Sequence, residues 1–270
     1  MSYENVLYET RDGIGLLTFN RPENLNSLNV PLMNDIRAVL KRVAEDPETK
    51  VLVMTGAGKG FCSGADLLGL GKPGKAPDPN KSVGEVVSEQ MKVHFNPLVL
   101  EVHCLEKPVI AAVNGVAAGG GVGLALTADM VFAARSAYFV QVFGPKLGIV
   151  PDMGTTWHLP RLLGPARALG LVFLGDKLSA EQAAQWGLIW KCVDDDVLMD
   201  EVVAVAKKLA QGPTKAYGYI KKAISESGRN NLAEQLDFER QCQLVLCSSH
   251  DFTEGAKSFM EKRKPNFKGY

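Results

Sequence analysis

Apolar positions change their period along the chain, and the changes divide it into elements. Within residues 5–20, the runs NVLYET and IGLLTFN flank Arg11-Asp12-Gly13. Asp-Gly tolerates the positive φ of a tight connection, so two strands in a hairpin are predicted. Beyond Arg21-Pro22 the period lengthens: Leu32, Met33, Ile36, Leu40 and Val43 recur at three-and-four spacing. That pattern predicts one helix face, ending before Pro47, and VLVMTG (51–56) then reads as a strand. PVIAAVNG (108–115) and VFAARSAYFV (131–140) are strand-like runs, each followed by a loop and a helix, the first such helix being read over 124–130. A continuously apolar run such as VIAAV suits a strand buried on both faces. The alternation predicts an α/β architecture.

Residues 71–90, GKPGKAPDPNKSVGEVVSEQ, are too long and polar for a simple connection and read as a functional lid or loop. From about Asp200 onward the chain reads as helical, with amphipathic stretches near 200–210, 231–247 and 252–264, the last stopped by Pro265. The chain is therefore divided into a core of residues 1–199 and a helical region of residues 200–270.

Composition narrows the function classes. Thirty basic and thirty acidic residues cancel, which removes the broad positive field that nucleic acid or an anionic membrane would require. The five cysteines, Cys62, Cys104, Cys192, Cys242 and Cys247, form no C-x-x-C pair and have no histidine at ligand spacing. No metal site and a reducing, cytoplasmic location are expected. MSYENVLYETRDG has no apolar core of a signal peptide, and no window reaches the length of a membrane span.

Two glycine-rich turns carry the candidate chemistry. Gly60-Phe61-Cys62-Ser63-Gly64-Ala65-Asp66 follows a strand; it reads either as a tight turn capped by Asp66 or as backbone exposing N–H groups to a ligand. Asn114-Gly115-Val116-Ala117-Ala118-Gly119-Gly120-Gly121 runs from a strand into an apolar helix. It reads either as close helix–strand packing or as a helix start whose N–H groups favour negative charge. Gly56-Ala57-Gly58-Lys59-Gly60 lacks the Ser or Thr and the spacing of a phosphate loop.

The two turns resemble those of the crotonase (enoyl-CoA hydratase/isomerase) superfamily. Asn20-Arg21-Pro22-Glu23-Asn24-Leu25-Asn26-Ser27-Leu28-Asn29, Gly148-Ile149-Val150-Pro151-Asp152 and Phe259-Met260-Glu261-Lys262-Arg263 are similar to further landmarks of that family, in the same order. The resemblance implies a spiral of β-β-α units with a helical C-terminal trimerisation region. It implies oxyanion-hole N–H donors on Ala65 and Gly120, and a coenzyme A groove lined by Asn24, Leu25, Ala65, Asp66 and Leu67. It further implies a homotrimer or dimer of trimers, in which Phe259 and Lys262 of a neighbour complete the coenzyme site. Coenzyme A is then part of the substrate, and no separate cofactor is expected.

The chain departs from the hydratase pattern at both working glutamates, which align with Gly123 and with Gly144. Neither can move a proton through a side chain. Asp152 remains. By itself it reads as the N-cap of the next helix; through the resemblance it becomes the single working carboxylate of members that shift a double bond. The stretch from Ala134-Arg135-Ser136-Ala137 through Trp186-Gly187-Leu188-Ile189-Trp190 is most similar to the isomerases that open the ring epoxide of phenylacetyl-CoA. His94, His103, His158 and His250 are read as packing or surface residues, and Trp157, Trp186 and Trp190 as core. The expected activity is an acyl-CoA isomerase; a hydratase, a hydrolytic dehalogenase and a catalytically silent acyl-CoA-binding paralogue are the alternatives.

Overall fold

The computed structural model describes residues 3–66 and 78–270. The hairpin forms from β1 (Val6–Arg11) and β2 (Ile14–Phe19), with Asp12 and Gly13 both at positive φ. Helix α1 (Val30–Glu45) begins where Asn29 accepts the Leu32 N–H at 2.9 Å. Such a cap contributes about 1 kcal/mol. Six side chains of α1, Leu32 through Val43, are buried, each contributing roughly 1.5–3 kcal/mol by leaving water.

Strand pairs then repeat. β3 (Val51–Gly56) leads into β4 (Gly60–Cys62), β5 (Val109–Val113) into β6 (Val116–Ala118), and β7 (Met130–Ala134) into β8 (Tyr138–Val140). The first member of each pair joins one sheet, ordered β1-β2-β3-β5-β7-β10, and the second joins another, ordered β4-β6-β8-β9. β9 (Leu178–Ser179) and β10 (Lys191–Val193) complete the two sheets. Helices follow each pair: α2 (Val83–Gln90) continues through a π-helical turn (Met91–Phe95) into α3 (Asn96–His103), α4 (Gly120–Leu126) follows β6, and α5 (Thr155–Leu163) and α6 (Pro165–Leu174) follow β8. This is the spiral of β-β-α turns. Its parallel sheet is covered by α8 (Leu198–Ala210), which packs on β3, β5 and β7, and every residue of β5 is buried. The remaining short helix, α7 (Ala180–Gln185), is capped by Ser179.

The C-terminal region continues through α9 (Thr214–Glu226), α10 (Leu232–Leu246) and α11 (His250–Met260). Its apolar side chains at Ile224, Leu232, Leu236, Leu244, Phe259 and Met260 are exposed in the single chain. The boundary drawn at residue 199 falls inside α8, which is seated on the sheet. No helix among the described residues is long and apolar enough to cross a membrane.

Several sequence expectations are corrected. The glycine-rich helix spans Gly120–Leu126, not 124–130, because Thr127 turns its hydroxyl back onto the Gly123 carbonyl and Met130 already opens β7. Residues 131–140 form two strands, divided where the Ala137 N–H closes a turn on Ala134. Of the proposed loop 71–90, residues 83–90 are helix, started by a reciprocal cap between Ser82 and Glu85, while 71–77 lie outside the described residues. The last helix ends at Met260 rather than 264, and α9 was not singled out. Trp157 and Trp190 are exposed rather than core, Trp190 by 65%. Trp157 holds a surface position by stacking under Arg161, whose guanidinium lies 4.1 Å from its ring centre.

Candidate active site

The first wall of the site is built by the segment before α1. Asn26 is fully buried; its amide donates to the carbonyls of Gly60 (2.8 Å) and Ala57 (3.0 Å) and accepts the Arg21 N–H at 2.9 Å. Arg21 donates to the Ser27 carbonyl at 2.6 Å and pairs with Asp66 at 3.0 Å, both side chains largely buried. Asp66 is thus held toward Arg21. The Leu28 N–H donates to Gly64 (2.7 Å) and the Asp66 N–H to Leu28 (2.9 Å), an isolated parallel bridge opposite Ala65. In a parallel pairing the residue flanked by two such bonds presents its own N–H to the other side. The Ala65 N–H is therefore turned away from Leu28.

The second wall is the start of α4. Gly119 has φ 51° and ψ −123°, and Gly120 is the first helical residue, whose N–H has no acceptor within its own helix. The two glycine turns press together. A side chain at Gly121 would place its Cβ 2.1 Å from the Cys62 carbonyl oxygen, and one at Gly64 would place it 3.2 Å from the Gly120 nitrogen. These contacts explain the glycines of both motifs: the backbones approach closer than any Cβ permits. Cys62 itself is no nucleophile. Burial pushes its thiol up to about 12, so the reactive thiolate is not formed near neutral pH.

The third wall is the turn before α5. The Thr155 N–H donates to the Asp152 main-chain carbonyl at 2.9 Å, with Met153 (φ 52°) and Gly154 (φ 75°) both left-handed between them. Asp152 is therefore not the side-chain cap of α5. Gly154 is the flanking residue, and no side chain caps the helix. The Asp152 carboxylate instead reaches over α4, its Oδ1 lying 3.2 Å from where a Gly120 Cβ would sit. That oxygen is buried without a hydrogen-bond partner. Burial raises the carboxyl to about 6. A group that titrates there is ionised at neutral pH, and its conjugate acid is strong enough to return a proton.

Ala65, Asp66 and Asp152 face one cavity of about 230 Å³, closed by Leu28, Met91 and Phe95. Among the described residues lining it, the carboxylates are Asp66 and Asp152. The sites aligned with the hydratase glutamates carry none. At Gly123 a Cβ would meet the Met153 carbonyl oxygen at 2.4 Å, and at Gly144 one would meet the Val172 carbonyl oxygen at 3.0 Å. Nearby His158 is held neutral, its burial lowering it to about 4.

The other expected groove residues are placed less directly. Asn24 and Leu25 do not line the cavity; they hold the Ala65 turn, the Asn24 carbonyl accepting the Ser63 hydroxyl at 3.2 Å and the Leu25 carbonyl the Ser63 N–H at 3.0 Å. Leu67 lies outside the described residues. Phe259 and Lys262 stand at the end of α11, with Phe259 86% exposed, and neither lines the cavity of its own chain. Met153, Met91 and Phe95 were missed. A methionine in the second position of Asp-Met-Gly-Thr carries no signal of a left-handed residue, since that conformation favours Gly, Asn or Asp there. Among the described residues no cluster of three or more His, Cys, Asp or Glu side chains is placed to hold a metal ion.

The arrangement brings the Ala65 turn and one desolvated carboxylate to a common pocket, with Gly120 at the start of α4 beside that carboxylate. The model of the enoyl-CoA hydratase/isomerase family matches residues 9–270. The chain is 47% identical to the 1,2-epoxyphenylacetyl-CoA isomerase of Escherichia coli (strain K12), over 98% of this chain and 99% of that protein. It is 41% identical to a probable enoyl-CoA hydratase of Rhodobacter capsulatus, over the full length of both. Among solved structures, the enoyl-CoA hydratase of Bacillus anthracis superposes with a TM-score of 0.90 at 33% identity, covering 99% of this chain and 100% of that one. This chain belongs to the enoyl-CoA hydratase/isomerase family.

Proposed function

We propose that the chain is an acyl-CoA isomerase that shifts a double bond or opens a ring epoxide through a thioester enolate. Ala65 and Gly120 donate their N–H groups to the thioester oxygen, which gains charge as the adjacent carbon is deprotonated. A preorganised donor of this kind contributes about 3 kcal/mol in the transition state. Asp152 takes the proton from the α-carbon; the dienolate retains the electron pair, and the same carboxyl returns the proton at the γ-carbon. Atoms and charge are conserved, and water is not a reactant. Coenzyme A enters as part of the substrate, with no separate cofactor.

The observation that carries this reading is the Asp152 carboxylate, buried, without a hydrogen-bond partner on Oδ1 and raised to about 6, which shares a cavity with Ala65 and lies over Gly120. The 1,2-epoxyphenylacetyl-CoA isomerase relative supports the epoxide branch. Hydration is disfavoured because main-chain atoms occupy the space a glutamate on Gly123 would need. The exposed apolar faces of α10 and α11 support assembly into a trimer or dimer of trimers, with Phe259 and Lys262 reaching a neighbour's coenzyme site. The phenyl ring would wall the adenine and the ammonium would meet a phosphate as a point charge.

The test is Asp152→Asn, which keeps the shape but removes the proton acceptor. Double-bond migration in 3-hexenoyl-CoA and exchange of its α and γ protons should fall by ~100-fold or more, with acetyl-CoA binding retained in calorimetry. Near-normal migration by a folded variant would sink the mechanism.

A further inference from the structure

Met153 is a conflict between local and tertiary preference. It occupies the first central position of the Asp152–Thr155 turn with φ 52°, where a side chain is disfavoured, yet it is only 1% exposed. Its Cγ lies 3.0 Å from the point where a Gly120 Cβ would sit, so it shares the space above Gly120 with the Asp152 Oδ1. Its Cβ and carbonyl oxygen occupy the space above Gly123, at 2.7 and 2.4 Å from the corresponding point. One residue therefore fills both helix positions that face the third wall. An unfavourable backbone conformation persists only where its surroundings over-determine it, and such places cluster at functional sites.

We propose that Met153 is the positioning residue that sets the reaction of this site. Its main chain excludes a helix-borne acid over Gly123, and its side chain, wedged on Gly120, holds the neighbouring Asp152 carboxylate over the oxyanion turn and keeps water from it. The inference rests on the reading of Asp152 as proton carrier. The elements packed around that carboxylate bring few charges toward it. Asp66, on the first wall, is paired with Arg21; α4 contributes no titratable residue, and α5 contributes His158, which is neutral above about pH 4. The helix across the cavity presents Gln90, Met91 and Phe95, and the start of α1 presents none that titrates. Burial, rather than a nearby charge, keeps the carboxyl high, and the Met153 side chain is what shares the space above Gly120 with it.

The experiment compares Met153→Gly, Met153→Leu and Asp152→Asn in the full chain with 3-hexenoyl-CoA. Glycine relieves the left-handed φ but empties the space of a buried side chain, so the thermal midpoint should fall modestly while the chain stays folded. The kcat should nevertheless fall by ~30-fold with little change in KM, since a small misplacement of a reacting group is costly. The acid limb of kcat/KM should move from near pH 6 toward the ordinary carboxylate range as water reaches Asp152. Leucine should restore kcat to within ~3-fold, because it conserves the buried volume. Should glycine loosen the chain, Met153→Asn, which also tolerates the left-handed conformation, supplies the same comparison. An unchanged acid limb and normal kcat in the glycine variant, with Asp152→Asn inactive, overturns the role of Met153 and leaves the reading of Asp152 standing. Normal turnover by Asp152→Asn overturns both.

Discussion

Two cavities flank the helical run from Gln90 to His103, and the smaller holds the candidate chemistry. The larger, of about 900 Å³, lies between α3, α5 and α9 and carries more ionisable side chains. Many of its polar groups answer one another: His103 bonds Ser225 at 3.0 Å, Lys221 pairs with Asp129 at 3.0 Å, Arg229 with Glu226 at 2.6 Å, and Arg161 covers Trp157 while donating to its carbonyl. In the 230 Å³ cavity the Asp152 Oδ1 is buried without a partner. Buried polar groups normally find partners, and an exception beside the two glycine-rich turns is a better marker of reactivity than volume or charge.

The comparison breaks first at the groups themselves. Asp152→Asn should cost ~100-fold or more in double-bond migration, whereas His103→Ala and Ser225→Ala in the larger cavity should each stay within ~3-fold when compared as folded proteins, since surroundings that only pack shift a rate little. A large, selective loss on altering Ser225 would reassign the chemistry to the wider cavity. Next in size is Gly121→Ala. Its Cβ, 2.1 Å from the Cys62 carbonyl oxygen, would force the two turns apart. Losing the alignment of one donor should lower kcat by ~100-fold, read by steady-state kinetics on protein that still binds acetyl-CoA.

A subtler difference appears in stability. The folded Asp152 carboxyl holds its proton to about pH 6, whereas an unfolded one releases it near 4. The folded state therefore binds more protons across that window, and stability falls as pH rises from about 4 to about 6. Asp152→Asn removes this penalty, so urea unfolding at pH 8 should show a gain of roughly 1–3 kcal/mol that disappears at pH 4. A loss at pH 8 would indicate a structural carboxylate instead. The smallest effect is expected from Gly123→Glu with Gly144→Glu. Hydration of crotonyl-CoA should not rise above ~2-fold, because both positions face backbone carbonyls and overpacking displaces the turn.

Long periodic elements were legible in the sequence. The α1 face from Leu32 to Val43 and the apolar run of β5 state their burial directly. The second sheet was not, because strands such as β4, β6 and β8 have three residues each, too few to show a period. Glycine also hid the start of α4: Gly120 and Gly121 are poor helix formers, and tertiary contact with Cys62 decides their conformation. Asp152 was found through a resemblance, and its local reading as a cap failed because the turn uses its main-chain carbonyl. Trp190 shows the opposite error, a large apolar residue assigned inward by type while its tertiary position leaves it exposed.

The order of the six-stranded sheet also governs how the chain must assemble. Apart from the β1–β2 hairpin, its ladders are parallel: β2 pairs with β3, β3 with β5, β5 with β7 and β7 with β10, each joining strands separated by an intervening crossover. Loop closure must precede every such pairing, which places the chain among slow folders. Until their partner strands arrive, the apolar segments VLVMTG and VIAAV, neither of which carries a charge, are unpaired strand-formers. Such windows associate readily with copies of themselves. Refolding from denaturant should accordingly lose yield steeply with protein concentration, long before the native state shows any weakness.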